Sequence, residues 1–258
     1  MTTWVLLRGL TRERRHWGSF PERLQAAQPG ARIVALDLPG NGVLNTLRSP
    51  STVAAMVSYL RAELQRQGIA PPWHLLAMSL GGMVAIEWAT RHPGEIGGAV
   101  LINTSVGRLQ PIHRRLKPGA WLPLLRGALP GLGAEARERL IARLTSLRLA
   151  TADTAPREWV ACRQSHPVSR GNAWRQLLAA LRFDAPREAP TVPLLLLCAA
   201  GDRLVDPRCS RSLAMAWRAA LAEHPNAGHD LAFDDPEWLL RTLLDWLASS
   251  RASPPCSG

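Results

Sequence analysis

No apolar run in the 258-residue sequence is long enough to cross a membrane. The longest, residues 192–200, falls well short of the roughly 20 residues that a transmembrane helix needs, and Pro193 interrupts it. The N-terminus does not look like a secretion signal, because its short apolar run, residues 4–7, is followed rather than preceded by basic residues. We therefore expect no integral membrane segment and a cytoplasmic location.

Cysteine is scarce, and its positions carry no recognisable spacing. The four cysteines form neither a CxxC pair nor a dense disulfide framework, so reduced thiols are the simpler interpretation. The sequence also lacks a cluster of metal-ligating residues and a glycine-rich loop that could hold phosphates. These absences predict a protein without a metal ion or a cofactor.

Acidic residues are few relative to basic ones, 20 against 31, which gives a formal net charge of +11. Residues 108–148 contain nine basic side chains and only two acidic ones. Such a segment could face nucleic acid, anionic lipid or an acidic protein, although a solvated helical surface explains it more simply. Because no aromatic-interleaved basic patch or nucleic-acid motif accompanies it, we expect no nucleic-acid partner and retain an acidic carrier protein as a candidate partner.

Short apolar runs alternate with helical patterns through the first hundred residues. The pattern predicts strands at residues 4–8, 32–38, 73–78 and 99–103, and helices at residues 19–28, 51–67 and 80–91. The strands are almost continuously apolar, which is typical of strands covered by helices on both faces. The fold class predicted is therefore α/β, with a mostly parallel sheet and helices on both faces.

The pattern changes at about residue 106, after which helical segments and proline-rich joints continue to residue 186 without a convincing strand. Helices are predicted there at residues 135–150, 158–165 and 172–182. The alternation then resumes with a strand at 191–200, a helix at 207–220, a strand-like stretch near Ala222 and a helix at 236–249. We expect a core formed by residues 1–105 and 187–250, a helical cap at 106–186 and a disordered tail at 251–258.

The segment LLAMSLGGM, residues 75–83, places one hydroxyl where an apolar strand meets a helix. A sharp turn at such a junction holds a serine side chain clear of the sheet, and it crowds the positions two residues before and after the serine. Ala77 and Gly81 are small enough for those positions. The turn also directs the Leu80 amide and the helix N-terminus toward the hydroxyl. Ser79 is therefore the candidate nucleophile, and a helix-capping serine is the alternative.

A serine hydroxyl needs a neighbouring base to become a good nucleophile. Of the seven histidines, His229 follows Gly228 in a loop before the last predicted helix, where small residues leave the ring free to reach across the sheet edge. His224 is the nearest rival. We predict that His229 is the base.

The base in turn needs an acid that fixes its tautomer. Asp202 and Asp206 both follow the strand predicted at residues 191–200. Asp206 precedes Pro207 and is explained as a helix N-cap with proline at the first helical position. Asp202 has no such local role, which makes it the candidate acid.

The order of these residues, together with the segments LLRGL, DLPGNG, AMSLGG, LLLLCAAGDRLVDP and NAGHD, resembles the α/β-hydrolase superfamily in its serine esterase branch with a helical cap. The resemblance covers nearly the whole chain. It implies that Ser79 attacks an acyl carbonyl, that His229 takes the serine proton and that Asp202 orients the ring. It also implies an oxyanion hole made by the backbone amides of Leu10 and Leu80.

The sequence departs from this family pattern at two positions. Arg8 stands where the family usually has histidine, and we predict that its fixed charge favours substrates with a nearby anionic group. Asn41 replaces a common histidine and is interpreted as shaping a loop. Met78 and Leu80 flank the serine and are expected to give an apolar entrance, so Arg8 and Met78 are the predicted substrate-binding residues.

These features predict hydrolysis of a small-molecule carboxylic ester through an acyl-enzyme intermediate, with the cap selecting the substrate. Serine at position 79 argues against dehalogenases and epoxide hydrolases, which the resemblance associates with aspartate there. Four alternatives remain: an esterase or thioesterase acting on acyl chains of an acidic carrier protein, acyl transfer to an alcohol, carbon–carbon bond hydrolysis, and a non-catalytic binding module of the same fold.

Overall fold

The computed structural model describes residues 2–252, without the side chains of residues 251 and 252. Within this range six strands form one parallel sheet in the order β2-β1-β3-β4-β5-β6. The strands are β1 (Thr3–Leu7), β2 (Arg32–Leu36), β3 (Trp73–Met78), β4 (Ile96–Ile102), β5 (Leu194–Ala199) and β6 (Ala220–His224). The predicted fold class, α/β with a parallel sheet, is confirmed.

Helices cover both faces of the sheet. Outside the segment between β4 and β5, they are α1 (Phe20–Ala27), α2 (Val53–Arg66), α3 (Leu80–Arg91), α9 (Arg208–Trp217), α10 (Leu231–Asp234) and α11 (Pro236–Ala252). Successive residues of a strand point to opposite faces, so Val5 packs in a core with α2 and α3, whereas Leu6 packs in a second core with α1 and α11. This double burial explains why the strands read as almost continuous apolar runs.

Two predicted helix ends differ from the observed ones for local reasons. Helix α2 begins at Val53, two residues after its predicted start, because Thr52 is its N-cap and the Thr52 hydroxyl accepts the Ala55 amide at 3.4 Å. Helix α9 ends at Trp217, three residues before its predicted end. Arg218 adopts a left-handed conformation with φ 51°, which stops the helix and lets β6 begin at Ala220.

The described chain between β4 and β5 contains helices and no strand. These helices are α4 (Ile112–Arg115), α5 (Pro118–Ala128), α6 (Ala134–Thr145), α7 (Arg157–Ser165) and α8 (Arg170–Arg182). We refer to residues 106–186 as the cap. Helices α4 and α5 were not predicted, because α4 is one turn long and α5 contains Pro123. Helix α6 ends before its predicted limit, where the Leu147 amide instead donates to Asp234 at 2.9 Å.

Helix α11 extends to Ala252, so the first two residues of the predicted disordered tail are helical. The rest of that tail, residues 253–258, lies outside the described residues. Among the helices of residues 2–252, none combines the length and the apolar character that crossing a bilayer would require.

Candidate active site

Ser79 lies in a strained turn between β3 and α3. Its φ of 56° and ψ of −117° belong to a region that residues with a Cβ rarely occupy. The turn is held by backbone hydrogen bonds: the Ser79 amide donates to Ile102 O at 2.9 Å, and the Ser79 carbonyl accepts from the Gly82 amide at 3.0 Å. The strain therefore occurs at the predicted nucleophile, whose side chain is partly exposed.

Close packing against the loop after β1 explains the small residues around the serine. A Cβ at Gly81 would lie 2.6 Å from Leu7 O, so no larger residue fits there without moving backbone. A Cβ at Gly9 would lie 3.0 Å from Ser79 Cβ and 3.5 Å from its Oγ. The loop that contains Gly9 and Leu10 consequently lies directly beside the hydroxyl.

His229 and Asp202 form a buried pair at the ends of neighbouring elements. His229 Nδ1 lies 2.6 Å from Asp202 Oδ2, and the two residues are 5% and 1% exposed. The other carboxylate oxygen, Oδ1, accepts the amides of Leu204 and Val205 at 2.7 and 2.9 Å. With the carboxylate fixed in this way, Nδ1 carries the proton of the neutral ring and Nε2 is left as the acceptor.

The rival residues have structural roles. Both ring nitrogens of His224 are engaged, Nε2 with Asp235 at 3.0 Å and Nδ1 with the Asn226 amide at 3.1 Å. Helix α9 begins at Arg208 with Pro207 as its N-cap, one residue later than predicted, and Asp206 still binds its first turn by accepting the Arg208 amide at 2.9 Å. Neither is available to serve the serine.

Asn103 links the histidine loop to the strand beside the serine. It follows β4 directly, and its Nδ2 donates to His229 O at 2.8 Å while its Oδ1 accepts the Ala199 amide at 3.0 Å. Ser79 and His229 are therefore held near the same end of β4. Ser79 Oγ and His229 Nε2 share no hydrogen bond in the described chain, and in ligand-free sites such bonds are often long and shorten only with substrate.

The two amides predicted to stabilise an oxyanion belong to Leu80, the residue after the serine, and to Leu10, the residue after Gly9. Leu80 is the first residue of α3, so its amide has no acceptor within the helix. Leu10 lies in a turn closed by a 3.2 Å bond from the Arg12 amide to Gly9 O. The Gly9 carbonyl and the Leu10 N–H belong to one trans peptide and point in opposite directions, so the turn leaves the Leu10 N–H facing outward.

The residues predicted to bind substrate, Arg8 and Met78, are both 2% exposed. Arg8 donates to the two carboxylate oxygens of Asp230 at 3.1 and 2.5 Å, and its guanidinium lies 4.9 Å from the Trp17 ring centroid. A paired, buried guanidinium offers no free charge to an anionic substrate. Met78 packs in the core on the α1 and α11 face instead of lining an entrance. The structure thus gives Arg8 a role in holding the residue next to His229, and Met78 a packing role.

The loop after β1 also contacts the cap, and no local pattern in the sequence predicted this contact. Arg12 donates to Glu138 of α6 at 2.6 Å, and Arg163 of α7 donates to the other oxygen of the same carboxylate. The Arg12 guanidinium stacks on Trp159 of α7, 4.5 Å from the ring centroid. Burial raises the pKa of Glu138, but the two guanidinium groups outweigh it and hold that pKa below its usual value.

Glu13, His16 and Cys162 bring three possible metal-ligand atoms within 4.8 Å of one another. Cys162 is too far from the other two in sequence for the cluster to have been recognised. Their surroundings suit a cation poorly. Arg12 contacts His16 Nε2 at 2.8 Å and Arg15 contacts Glu13 at 2.5 Å, which places positive charge on the cluster. Burial, followed by the charge of Arg12, holds the pKa of His16 well below its usual value, and burial raises the pKa of Cys162 to about 12. We assign this cluster no metal.

A strained serine turn after the third strand, with a histidine–carboxylate pair at neighbouring strand ends of a parallel sheet, is typical of hydrolases with a serine nucleophile. A sequence profile of the alpha/beta hydrolase family matches residues 4–242. The chain therefore belongs to the alpha/beta hydrolase family.

Individual relatives agree with this assignment. The sequence is 30% identical over 242 residues to the proposed carbamate hydrolase RutD of Variovorax paradoxus, covering 88% of this chain and 85% of that protein. It is 28% identical over 246 residues to the pimeloyl-(acyl-carrier protein) methyl ester esterase of Aromatoleum aromaticum, covering 86% of this chain and 91% of the relative. A thermophilic esterase from Thermogutta terrifontis has a TM-score of 0.74 at 22% identity over 96% of this chain and 90% of that one, which is a likeness of fold.

Proposed function

We propose that the protein hydrolyses carboxylic esters through an acyl-enzyme on Ser79. The observation that carries the proposal is the strained Ser79 turn, which lies beside the loop of Gly9 and near the buried His229–Asp202 pair. A capping serine would not need a left-handed backbone, and a surface histidine would not need a buried carboxylate at 2.6 Å. Backbone strain at Ser79 and the burial of the His229–Asp202 pair both cost free energy, and a catalytic role best explains why they are present.

The reaction then proceeds in two halves. His229 Nε2 accepts the Ser79 proton as Oγ attacks the ester carbonyl, and the imidazolium is stabilised by Asp202. The amides of Leu10 and Leu80 hold the negative oxygen of the tetrahedral intermediate. His229 returns the proton to the departing alcohol, and the same steps with water in place of Ser79 release the acid.

A fluorophosphonate probe tests this proposal on the unmodified protein. The probe should attach covalently to Ser79, one adduct per chain by mass spectrometry, and should abolish turnover of p-nitrophenyl esters in proportion to labelling. A panel of p-nitrophenyl esters of different acyl lengths, with a carbamate included, would define the preferred acyl group. Ester turnover that persists in fully labelled protein, or labelling at another residue, would contradict the proposal.

A substrate carried on an acidic carrier protein is a second candidate, supported by the Aromatoleum aromaticum relative and by the charge of the cap. From residue 104 to residue 134 the sequence contains five basic residues and no acidic one. In this part of the cap α5 exposes apolar side chains beside Arg126, namely Trp121, Leu122 and Leu125. A surface that combines positive charge with exposed apolar groups suits a negatively charged protein that presents an acyl chain.

Salt dependence tests this partner. With an acyl-ester-loaded carrier protein as substrate, KM should rise by about an order of magnitude between 50 and 500 mM NaCl, since exposed charges are screened over a Debye length of roughly 10 Å at 0.1 M salt and less above it. The matched control is the same acyl group on a small alcohol, for which KM should change little. If the KM for the loaded carrier protein does not change with salt concentration, the carrier protein is not the partner, and a small-molecule ester remains the proposed substrate.

A further inference from the structure

Gln176 of α8 is fully buried and connects the cap to the loop beside the serine. Its Oε1 accepts the Thr11 amide at 2.9 Å, and its Nε2 donates to Asn41 Oδ1 at 2.7 Å. Asn41 Nδ2 in turn donates a hydrogen bond to Arg12 O at 2.7 Å. Two buried side-chain amides therefore hold two consecutive residues of one loop.

The loop they hold is a strained turn. The bond from the Arg12 amide to Gly9 O closes a four-residue turn whose third residue, Thr11, has φ 57°. A positive φ at the third position alone is the pattern of a type II turn, which ordinarily carries glycine there. The strain would be relieved if Thr11 left its positive φ and the turn opened, which would break the bond from the Arg12 amide to Gly9 O and free the peptide that carries the Leu10 N–H. Such opening would carry the Thr11 N–H away from Gln176, so the hydrogen bond from Thr11 holds the strained form.

We propose that Gln176 is a positioning residue through which the cap holds the oxyanion turn, residues 9–12, in the conformation that presents the Leu10 amide to the reacting carbonyl. The inference rests on the proposed ester hydrolysis. Gln176 itself touches no reacting atom. It acts on the peptide next to Leu10, and it makes the alignment of the oxyanion hole depend on the docked cap.

The kinetic signature of this role follows from when the oxyanion forms. A hydrogen bond to the carbonyl oxygen becomes strong only as negative charge develops, so a misplaced Leu10 amide weakens the transition state more than the bound ester. Loss of Gln176 should therefore lower kcat and the affinity for transition-state analogues, with little change in KM. A residue that merely attached the cap would alter substrate binding or stability instead.

The same helix offers a matched control one turn earlier. Asn172 is 6% exposed, and it also joins α8 to the core through its side-chain amide. Its Oδ1 accepts the Ser49 amide at 2.9 Å and its Nδ2 donates to Leu47 O at 2.9 Å. These partners lie in a different loop, so Asn172 attaches the cap without touching the oxyanion turn.

The experiment compares Gln176→Met with Asn172→Leu, each an apolar replacement of similar size. For a p-nitrophenyl ester, Gln176→Met should lower kcat by about 10- to 100-fold, somewhat less than loss of an oxyanion donor itself, with KM within about threefold of wild type. The affinity for a boronic acid analogue should fall by a similar factor, because the analogue mimics the tetrahedral state. Asn172→Leu should leave kcat and boronate affinity within about threefold, whatever it does to the melting temperature.

Gln176→Glu provides rescue and covers the case in which Gln176→Met does not fold. In this buried site the new carboxyl is expected to stay protonated, so that it accepts from the Thr11 amide and donates its O–H to Asn41 Oδ1. The variant should therefore retain at least about a third of wild-type kcat. Equal losses of kcat in Gln176→Met and Asn172→Leu, or a large loss in Gln176→Glu, would overturn the positioning role. Either result would leave ester hydrolysis itself intact, since that is judged by turnover and Ser79 labelling of the wild type.

Discussion

Asp202→Asn should lower kcat for ester hydrolysis by about 10⁴-fold with the fold unchanged, the size of effect that a wrong tautomer produces in serine hydrolases. The amides of Leu204 and Val205 both donate to Asp202 Oδ1, so the asparagine oxygen is expected to stay with them. Its NH₂ group then faces His229 Nδ1 in place of Oδ2. A donor at that point forces the proton onto Nε2, where it blocks removal of the Ser79 proton.

The matched control for this variant is Asp206→Asn in the same loop. Asp206 bonds to Arg208 at the start of α9 and shares no hydrogen bond with His229 in the described chain, so its replacement should leave kcat within about threefold of wild type. Steady-state kinetics at pH 8 and the melting temperature of both variants make the comparison. A similar kcat for Asp202→Asn and Asp206→Asn would show that the His229–Asp202 pair serves structure alone.

The elements that the sequence predicted well are those with local signals. Strands β1 and β3 bury both faces, and their sequences are therefore continuous apolar runs. The turn at Ser79 was predicted from the small neighbouring residues that its geometry requires. Asp202 was selected because it follows a strand directly and has no capping role. Each of these inferences needed only neighbouring residues, which is why they located the histidine–carboxylate pair in advance.

Contacts between distant segments could not be predicted in the same way. Arg8 was interpreted as a free charge, yet 222 positions separate it from its partner Asp230. The acidic residue stands directly after His229, so a compensating charge was visible, but no pattern in the sequence joined the two. The role of Gln176 could not be predicted either, because a glutamine in a helical sequence gives no sign of the loop on which the helix packs.

The cap was predicted less accurately than the core because its helices pack on one another and on loops instead of on the sheet. A sheet imposes a regular apolar face on each covering helix, whereas α6 contributes the buried carboxylate of Glu138 to its contact with Arg12. Helix α5 exposes Leu122 and Leu125 to solvent, so the pattern of apolar residues in its sequence did not indicate a helix. Amphipathic periodicity therefore does not predict a helix where the surface that the helix packs on is polar or absent.

Glu138→Ala should destabilise the protein by about 3–5 kcal/mol, the usual cost of removing one member of a buried ionic group. Glu138 is 1% exposed and accepts from both Arg12 and Arg163, so the alanine variant leaves two guanidinium groups without their shared partner. Urea unfolding at pH 7.5 measures the free-energy difference. Because Arg12 belongs to the oxyanion turn, kcat should fall as well.

The pH dependence of stability gives a second readout with a definite sign. Burial raises the pKa of Glu138, yet Arg12 and Arg163 hold the net pKa below that of an unfolded glutamate. A lowered carboxyl pKa stabilises the folded state above the unfolded pKa, and this stabilisation is lost as pH falls through the folded pKa. Because this loss begins near the unfolded pKa of 4.5 and continues below it, Glu138→Ala should lose less stability than wild type as the pH falls from 7.5 to 3.

Glu135→Ala is the control for both measurements. Glu135 lies on the same helix but is exposed, and within residues 2–252 its carboxylate accepts a hydrogen bond from the Ala155 amide alone, at 2.8 Å. Its replacement should cost about 1 kcal/mol or less and leave the pH dependence of wild type. Equal destabilisation by Glu135→Ala and Glu138→Ala would mean that the buried cluster contributes no more than a surface hydrogen bond. The attachment of the oxyanion turn to the cap would then have to come from the stacking of Arg12 on Trp159 of α7.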